Sequence, residues 1–372
     1  MKQLTLDRFL VSTKSPTKRK AEEINNEPET KISRGFHFIP SPQPSRGVLG
    51  KNVDCAKEFT AELWDYTKID RLLTENGFVI VKDVLNAEEC REIIDGVWDS
   101  MEEITSNLEI PLDRNDPKTW KSMKKQANIR NMYKYHGIVH AEFMWKLRQH
   151  PNVLNIFSKI YKCQPQNLLA SYDGLSMQTP PEYSKTGWFR SCWYHVDQSY
   201  ARPQRECFQG WVTARDIDPG DYTTGFFVGS HKSFKEFGER FGVTNKEDFN
   251  KLKTKEQMEF YESRHDQIRV TCPAGSLVVW DSRLLHSGLE PLKGRKNPHY
   301  RTICFLSYGP RFNVSNHILK KRQNLYKNRR ATSHWSHMNL RTIPEKTPPD
   351  PRIKKLESKP LETATLRKLV GY

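Results

Sequence analysis

The chain has 372 residues, 36% of them hydrophobic, and a formal net charge of +16 at pH 7. That length and apolar share allow a sizeable folded core, and the positive balance favours polyanionic partners. No apolar run reaches membrane-spanning length and the amino terminus lacks the apolar core of a secretory signal, so a membrane or secreted protein is not expected. Seven scattered cysteines, Cys55, Cys90, Cys163, Cys192, Cys207, Cys272 and Cys304, form no CxxC. They argue against a disulfide scaffold or a cysteine-held zinc and for a soluble protein of a reducing, intracellular compartment.

Residues 1–52 form a polar, basic tail ending in FIPSPQPSRGVLG, where proline and glycine prevent a regular element. The folded core is expected from 53 to 340. Phe78 to Val81 reads as an apolar strand entered through Gly77. Asn86 can cap the next helix with Glu89 at its third position, and Cys90, Ile93, Ile94 and Val97 line its inner stripe. A helix is predicted from His140 to His150, stopping at Pro151, and another starts at Val153 and runs to Ile160. After Leu168 the pattern changes to short strands rich in Trp, Phe, Val and Tyr, separated by Gly and Pro. This spacing predicts a mainly β fold with packed helices, its core a closed double-stranded β-helix of jelly-roll, cupin-like type.

A polar, charged insertion from 234 to 264 interrupts the strands and is expected to be helical, forming part of a lid. Leu277 to Trp280 and Thr302 to Tyr308 are the last predicted strands, separated by a loop holding Lys293, Gly294, Arg295 and Pro298. Residues 341–372 form a Pro-rich, basic extension whose final TATLRKLVGY makes a short helix. There is no internal repeat.

Four dispersed residues carry the chemistry: His195 and Asp197 in WYHVDQS, His286 in WDSRLLHSG and Arg301 in PHYRTICFLSY. Residues two apart in an extended segment point to one side, so His195 and Asp197 can converge on one metal while Val196 faces away. Two imidazoles and a carboxylate hold Fe(II) on one face and leave the opposite positions open. Arg301 enters its strand with a fixed fork of donors suited to a carboxylate. Taken one at a time, these residues also fit a hydrogen-bonded His–Asp pair and a surface charge, and His231 and His299 are equal as isolated candidates.

The order of several blocks between Leu63 and Gly309 resembles the phytanoyl-CoA dioxygenase family of Fe(II)- and 2-oxoglutarate-dependent oxygenases. The blocks are GFVIVKDVLNAEEC, HVDQS, GWVTARDIDPGDYTTGFFVGSHK, CPAGSLVVWDSRLLHSG and YRTICFLSY. The resemblance implies His195, Asp197 and His286 as iron ligands, Arg301 as the clamp for the distal carboxylate of 2-oxoglutarate, and O2 as the oxidant. The loop before Arg301 is longer than the family's, which keeps Arg295 as a second candidate for the clamp. Ser287 is offset by one position from the family's serine, and Met177 and Gln178 are expected on the co-substrate side. Asp197 argues against the halogenating branch, which needs a small residue there. Arg190, Trp193, Gln198 and Trp211 are the candidates for the substrate pocket.

Two further segments suggest a location. Gln3 to Leu10, QLTLDRFL, resembles the peptide that replication and repair proteins insert into the sliding clamp, with Leu10 where a second aromatic is usual. Lys18, Arg19 and Lys20 after Pro16 resemble a nuclear import signal. With the basic run Lys320, Lys321, Arg322, Lys327, Arg329 and Arg330, they suggest a nuclear enzyme that binds DNA and oxidises a nucleobase. In the same run Tyr326, or Trp335 beyond it, can stack on a base, or the cations can hold the phosphates of a CoA-linked substrate. A lipid, small acid or natural product is the alternative substrate, and a non-catalytic adaptor for clamp and nucleic acid the alternative function.

Overall fold

A computed structural model describes residues 58–372, apart from 185–192, 296, 313 and 358. The clamp-like peptide, the basic cluster at Lys18–Lys20 and Arg190 therefore lie outside the described residues. In chain order the elements begin with β1 (Thr60–Ala61), α1 (Tyr66–Asn76), β2 (Phe78–Val81) and α2 (Ala87–Thr105). Asp65 caps α1 by accepting from the Lys68 amide, and Gly77, at φ +82°, ends it in a left-handed turn. A Cβ at Gly77 would lie 2.6 Å from His231 Nδ1, so position 77 needs glycine for space as well as conformation. Asn86 and Glu89 form the expected capping box at the start of α2.

Next come β3 (Met132–Tyr133), α3 (Glu142–Arg148), α4 (Pro151–Ile160), β4 (Leu168–Ala170), β5 (Leu175–Gln178), α5 (Pro181–Ser184) and β6 (His195–Val196). Pro151 opens α4, where its missing N–H is harmless. β7 (Phe208–Thr213) and β8 (Thr223–Phe227) precede the charged insertion, which folds as α6 (Phe234–Arg240), β9 (Asn250–Lys251) and α7 (Lys255–Glu262). The chain ends with β10 (Gln267–Arg269), β11 (Leu277–Asp281), β12 (His286–Leu289), β13 (Arg301–Pro310), α8 (Asn316–Lys327) and α9 (Ala364–Val370).

The expected closed double-stranded β-helix is not formed. Among the described residues the strands make two open sheets: an eight-stranded one in the order β1-β2-β11-β7-β13-β5-β3, with β4 beside β13, and a five-stranded one in the order β10-β8-β12-β6-β9. Helical residues outnumber strand residues, and β1 joins β2 in parallel, so the fold is mixed α/β. The reason lies in the edges. β1, β3, β9 and β10 are two or three residues long, and so short a ladder protects a sheet end without closing it. A pattern of short strands cannot by itself separate these two solutions.

Strand alternation explains why the apolar runs are continuous. Phe78 and Ile80 of β2, Trp211 of β7, Val278 and Trp280 of β11 and Ile303 of β13 share one cluster with Phe226 and Ile268 of the smaller sheet. Val79 and Val81, Leu277 and Val279, and Cys304 and Leu306 point the other way, into the core shared with Val97, Trp98 and Phe157 of the helices. The larger sheet is thus buried on both faces, and each fully buried aliphatic or aromatic side chain contributes about 2 kcal/mol. Arg301 shares its side of β13 with Ile303, so it faces the smaller sheet.

The carboxy-terminal segment packs against the same core. Leu366, Leu369 and Val370 of α9 are buried, Lys354 N donates to Ile104 O at 2.9 Å, and Arg311 Nη1 donates to Tyr372 O at 2.8 Å. Two cations of the basic run on α8 turn inward, while Lys320 and Lys327 are exposed. Arg322 is fully buried and donates to the carbonyls of Ser336, Ala170, Leu369 and Val370 at 2.5–3.1 Å, while Lys321 Nζ donates to Leu340 O at 2.9 Å. These side chains hold the chain's own end in place. No helix of the described residues is long and apolar enough to cross a membrane.

Candidate metal centre

β6 and β12 pair so that His195 and His286 stand directly opposite each other. A cross-strand pair brings two side chains within about 5 Å, which makes a two-histidine site a consequence of register. The ring centroids lie 4.2 Å apart. Asp197 follows β6 on the His195 side, its amide held by Ser282 O at 2.9 Å. Its carboxylate meets both rings: His195 Nε2 to Oδ1 is 3.6 Å and His286 Nε2 to Oδ2 is 3.3 Å. One ligand atom from each of the three residues lies within 4.8 Å of the others, and all three are buried.

The outer nitrogens decide the chemistry. His195 Nδ1 lies 2.8 Å from Trp193 O, and His286 Nδ1 lies 2.9 Å from Leu284 O. A carbonyl can only accept, so each Nδ1 donates to it and each Nε2 is the ring atom turned toward the carboxylate. Burial, reinforced by the neighbouring His286, pushes the His195 imidazole down to about 3, which keeps it neutral and ready to ligate. Burial alone would raise the Asp197 carboxyl, but the adjoining imidazoles outweigh it and hold it well below the usual range. A neutral His195, a second imidazole held from behind by a carbonyl and an ionised carboxylate are a donor set suited to a divalent metal.

Gln209 of β7 completes the support: its Nε2 donates to Asp197 Oδ2 at 2.8 Å. Sequence reasoning overlooked it, although a glutamine on the inner face of an otherwise apolar strand was a readable signal. Two residues on, roughly 7 Å along the strand, Trp211 lies beneath Arg301, whose Cζ is 5.5 Å from the ring. The indole N–H of Trp211 donates to Thr224 Oγ1 in the opposite sheet at 3.1 Å. Trp211 is thereby a fixed floor between the metal ligands and the arginine.

Arg301 is buried, and its polar contact is a neutral one, Nη1 donating to Gln178 Oε1 at 3.2 Å. Among the described residues its Nε has no partner and no carboxylate lies within ion-pair distance, and burial pushes the guanidinium down to about 10, leaving it charged at neutral pH. Arg295, the other candidate, is already neutralised by Glu182, at 2.8 Å through two nitrogens, and by Asp221 at 2.5 Å.

The remaining candidates separate. Gln178 faces Arg301, whereas its neighbour Met177 points to the opposite side of β5 and packs in the helix-side core. The Ser287 hydroxyl accepts from the Trp193 amide at 2.9 Å and donates to Gly288 O at 3.0 Å, so it ties β12 to the segment entering β6. Gln198 Nε2 donates to the carbonyls of Arg202 and Gln204 at 2.5 and 2.6 Å and braces the turn after Asp197. Trp193 stacks on His195 with centroids 4.6 Å apart. His231 is a structural hydrogen-bond donor to Thr74 O at 3.1 Å.

With two imidazoles and a carboxylate brought together in one buried cluster, and with the family profile that the chain matches, the protein is an Fe(II)- and 2-oxoglutarate-dependent oxygenase, acting on a small molecule. Residues 73–290 match the profile of the phytanoyl-CoA dioxygenase (PhyH) family, and the chain belongs to that family. It is 26% identical over 242 residues to Ava biosynthesis cluster protein O of Aspergillus versicolor, spanning 62% of this chain and 74% of that protein. Among solved structures, a protein from Salmonella typhimurium LT2 described as an oxidoreductase superposes with a TM-score of 0.56 at 11% identity, over 84% of this chain and 86% of the other. A hypothetical protein from Escherichia coli superposes with a TM-score of 0.56 at 12% identity, over 84% and 85% of the two chains. At these identities the superpositions establish the shared fold.

Proposed function

We propose that His195, Asp197 and His286 hold Fe(II), that Arg301 binds the distal carboxylate of 2-oxoglutarate beside Gln178, and that the enzyme hydroxylates a small organic molecule. The observation that carries this reading is the paired ring geometry, in which backbone carbonyls behind both rings turn both Nε2 atoms toward Asp197. When bound, Fe(II) with 2-oxoglutarate and O2 supplies oxidative hydroxylation of a C–H bond, the co-substrate leaving as succinate and CO2. The chain's share is binding, orientation and exclusion of water. Gln209 keeps Asp197 turned toward the rings, and Trp211 sets the spacing between the ligands and Arg301.

A lipid, small acid or natural product is the better supported substrate. The Aspergillus versicolor relative carries a biosynthesis-cluster name, which favours natural-product chemistry. The nucleobase reading rested partly on the basic run of α8, where Arg322 and Lys321 are engaged with the chain's own carbonyls. The test is anaerobic addition of Fe(II) and 2-oxoglutarate, read by the metal-to-ligand absorption band, for wild type beside Asp197→Ala and Arg301→Ala. A band in wild type that is lost or weakened in both variants supports the assignment. Folded wild type without a band overturns it. O2-dependent succinate release with small acids, lipids, natural products and a DNA oligonucleotide then separates the substrate classes.

A further inference from the structure

A loop that follows α8, outside the stretch matching the family profile, reaches back to the metal centre. Its base is closed by Ile343 N donating to Ala331 O at 2.9 Å and Ser333 N donating to Arg341 O at 3.0 Å. Thr332 ties it to the segment between β4 and β5: its amide donates to Tyr172 O at 3.0 Å, and its Oγ1 accepts from the Tyr172 amide at 2.9 Å. The loop turns inward, with Trp335 and Ser336 fully buried. Yet five consecutive side chains carry a buried polar atom with no hydrogen-bond partner among the described residues: Ser333 Oγ, His334 Nε2, Trp335 Nε1, Ser336 Oγ and His337 Nδ1. Buried polar atoms are ordinarily paired, so a run of five calls for partners from outside the chain, water or ligand.

His334 is the member of this run beside the chemistry. His337 Nδ1 instead packs on Gly309, where a Cβ would lie 1.8 Å from it, and Arg202 Cζ covers the Trp335 ring at 5.4 Å. The pairing of Thr332 with Tyr172 sets His334 near Asp173, and the charges of Asp197, Asp173, Lys134 and Asp248 all bear on its imidazole. Lys134 Nζ lies 2.6 Å from Asp173 Oδ1 and 5.9 Å from the centre of the Phe305 ring. Phe305 is the one residue of β13 that is not buried, and it shares the side of Arg301 and Ile303. A half-open position in the middle of a central strand marks the floor of a cavity between the sheets, and its register partner Trp211 is the floor beneath Arg301. His334 thus adjoins both the metal carboxylate and the cavity above Phe305. The fixed charges around it are already matched, Lys134 by Asp173 and Asp248 by Arg202 at 2.5 Å. Such a site takes an uncharged group without leaving a buried charge unbalanced.

We propose that His334 is a specificity-determining residue, whose Nε2 makes a hydrogen bond with a hydroxyl group of an uncharged substrate lying on Phe305 and so turns the reacting C–H toward the metal. The inference rests on the oxygenase reading above and narrows its substrate class. A hydroxyl both donates and accepts, so it meets Nε2 in either tautomer of the ring. A substrate lacking that hydroxyl leaves Nε2 unpaired, which is what makes the contact selective.

The test titrates 2-naphthylmethanol, 2-methylnaphthalene and 2-naphthoate anaerobically into protein loaded with Fe(II) and saturating 2-oxoglutarate, read by probe fluorescence. Wild type is expected to bind the alcohol at least about tenfold more tightly than either the hydrocarbon or the carboxylate. His334→Leu brings alcohol and hydrocarbon to within about twofold, with hydrocarbon affinity retained. Its melting temperature is unchanged or higher, because an unpaired buried polar atom has been removed. His334→Gln, whose amide still donates and accepts, keeps the preference for the alcohol. Equal binding of alcohol and hydrocarbon, tightest binding of the carboxylate, or no binding overturns the proposal. So does a leucine variant that keeps the preference or fails to fold, or a glutamine variant that loses it. The absorption band of the loaded protein is recorded in the same samples, so a missing band marks failure of the oxygenase reading and a band without the alcohol preference marks failure of the His334 assignment alone.

Discussion

Among the described residues two groups of the same residue types lie within ligating distance: His195, Asp197 and His286 between the sheets, and Asp218, Asp221 and His299 in the loops near β13. Their surroundings give them opposite chemistry. In the first, no arginine or lysine among the described residues lies within ion-pair distance of the carboxylate, burial drives His195 neutral, and the Nε2 atoms of both rings converge on it. In the second, Asp221 is already paired with Arg295 at 2.5 Å and with His299 Nε2 at 3.1 Å, and Asp218 is half exposed. The hydrogen bond to Asp221 raises the His299 pKa, favouring an imidazolium that cannot ligate. A His/Asp cluster becomes a metal site only where protonation is disfavoured and no fixed cation has taken the carboxylate.

The most severe way to break the contrast is Asp197→Ala, which leaves two histidines without the charge that balances the metal. Fe(II) affinity is expected to fall at least about a hundredfold, measured by anaerobic titration. The matching Asp221→Ala should leave one Fe(II) per chain with unchanged affinity; loss of iron in that variant would show that the second cluster is the site.

The arginines allow a second comparison. Arg301→Gln removes the unpaired buried cation and should weaken 2-oxoglutarate binding about 30-fold, equivalent to roughly 2 kcal/mol. Arg295→Gln instead breaks a pair with Glu182 and Asp221, so its effect should appear in thermal stability, at about 3 kcal/mol, with co-substrate affinity within about twofold. Calorimetric binding and melting curves on both variants would expose a reversed assignment.

Smaller effects sharpen the picture. Gln209→Ala removes the donor to Asp197 and should cost about tenfold in Fe(II) affinity with little change in 2-oxoglutarate affinity at saturating metal. The weakest expected effect is on pH dependence. His299 has its folded-state pKa raised, so the stability from its pairing with Asp221 is present below about pH 6.5 and fades as pH rises through the folded-state value. His299→Gln should therefore be less stable than wild type at pH 6, by no more than about 1 kcal/mol, and the gap should narrow toward pH 9. A gap that widens with pH would contradict the assigned protonation.

Legibility differed sharply between parts of the molecule. The strand at Phe78–Val81, the capping box at Asn86 and Glu89 and the strands around Leu277 and Thr302 could be read because their signals are local: a continuous apolar run, a capping residue, an alternation. Sheet closure could not, because it depends on which edges meet, and no short segment encodes that. Met177 and Gln178 show the same limit at residue scale. Both adjoin Arg301 in register, yet the pleat sends one toward the helices and the other toward the arginine.

The order of the blocks and the types of residue at 195, 197, 286 and 301 were determined by the sequence alone, since the donor chemistry of histidine, aspartate and arginine is a property of the side chain. Tertiary structure decided that burial keeps His195 neutral, that Asp197 faces two imidazoles rather than an arginine, and that Arg301 meets a glutamine where Arg295 meets carboxylates. Those properties depend on burial and on the groups that other segments bring alongside, as Arg295 brings a charge to Asp221 and Gln209 a neutral donor to Asp197. The same residue letters therefore yield a metal centre in one place and an ion-paired loop in another.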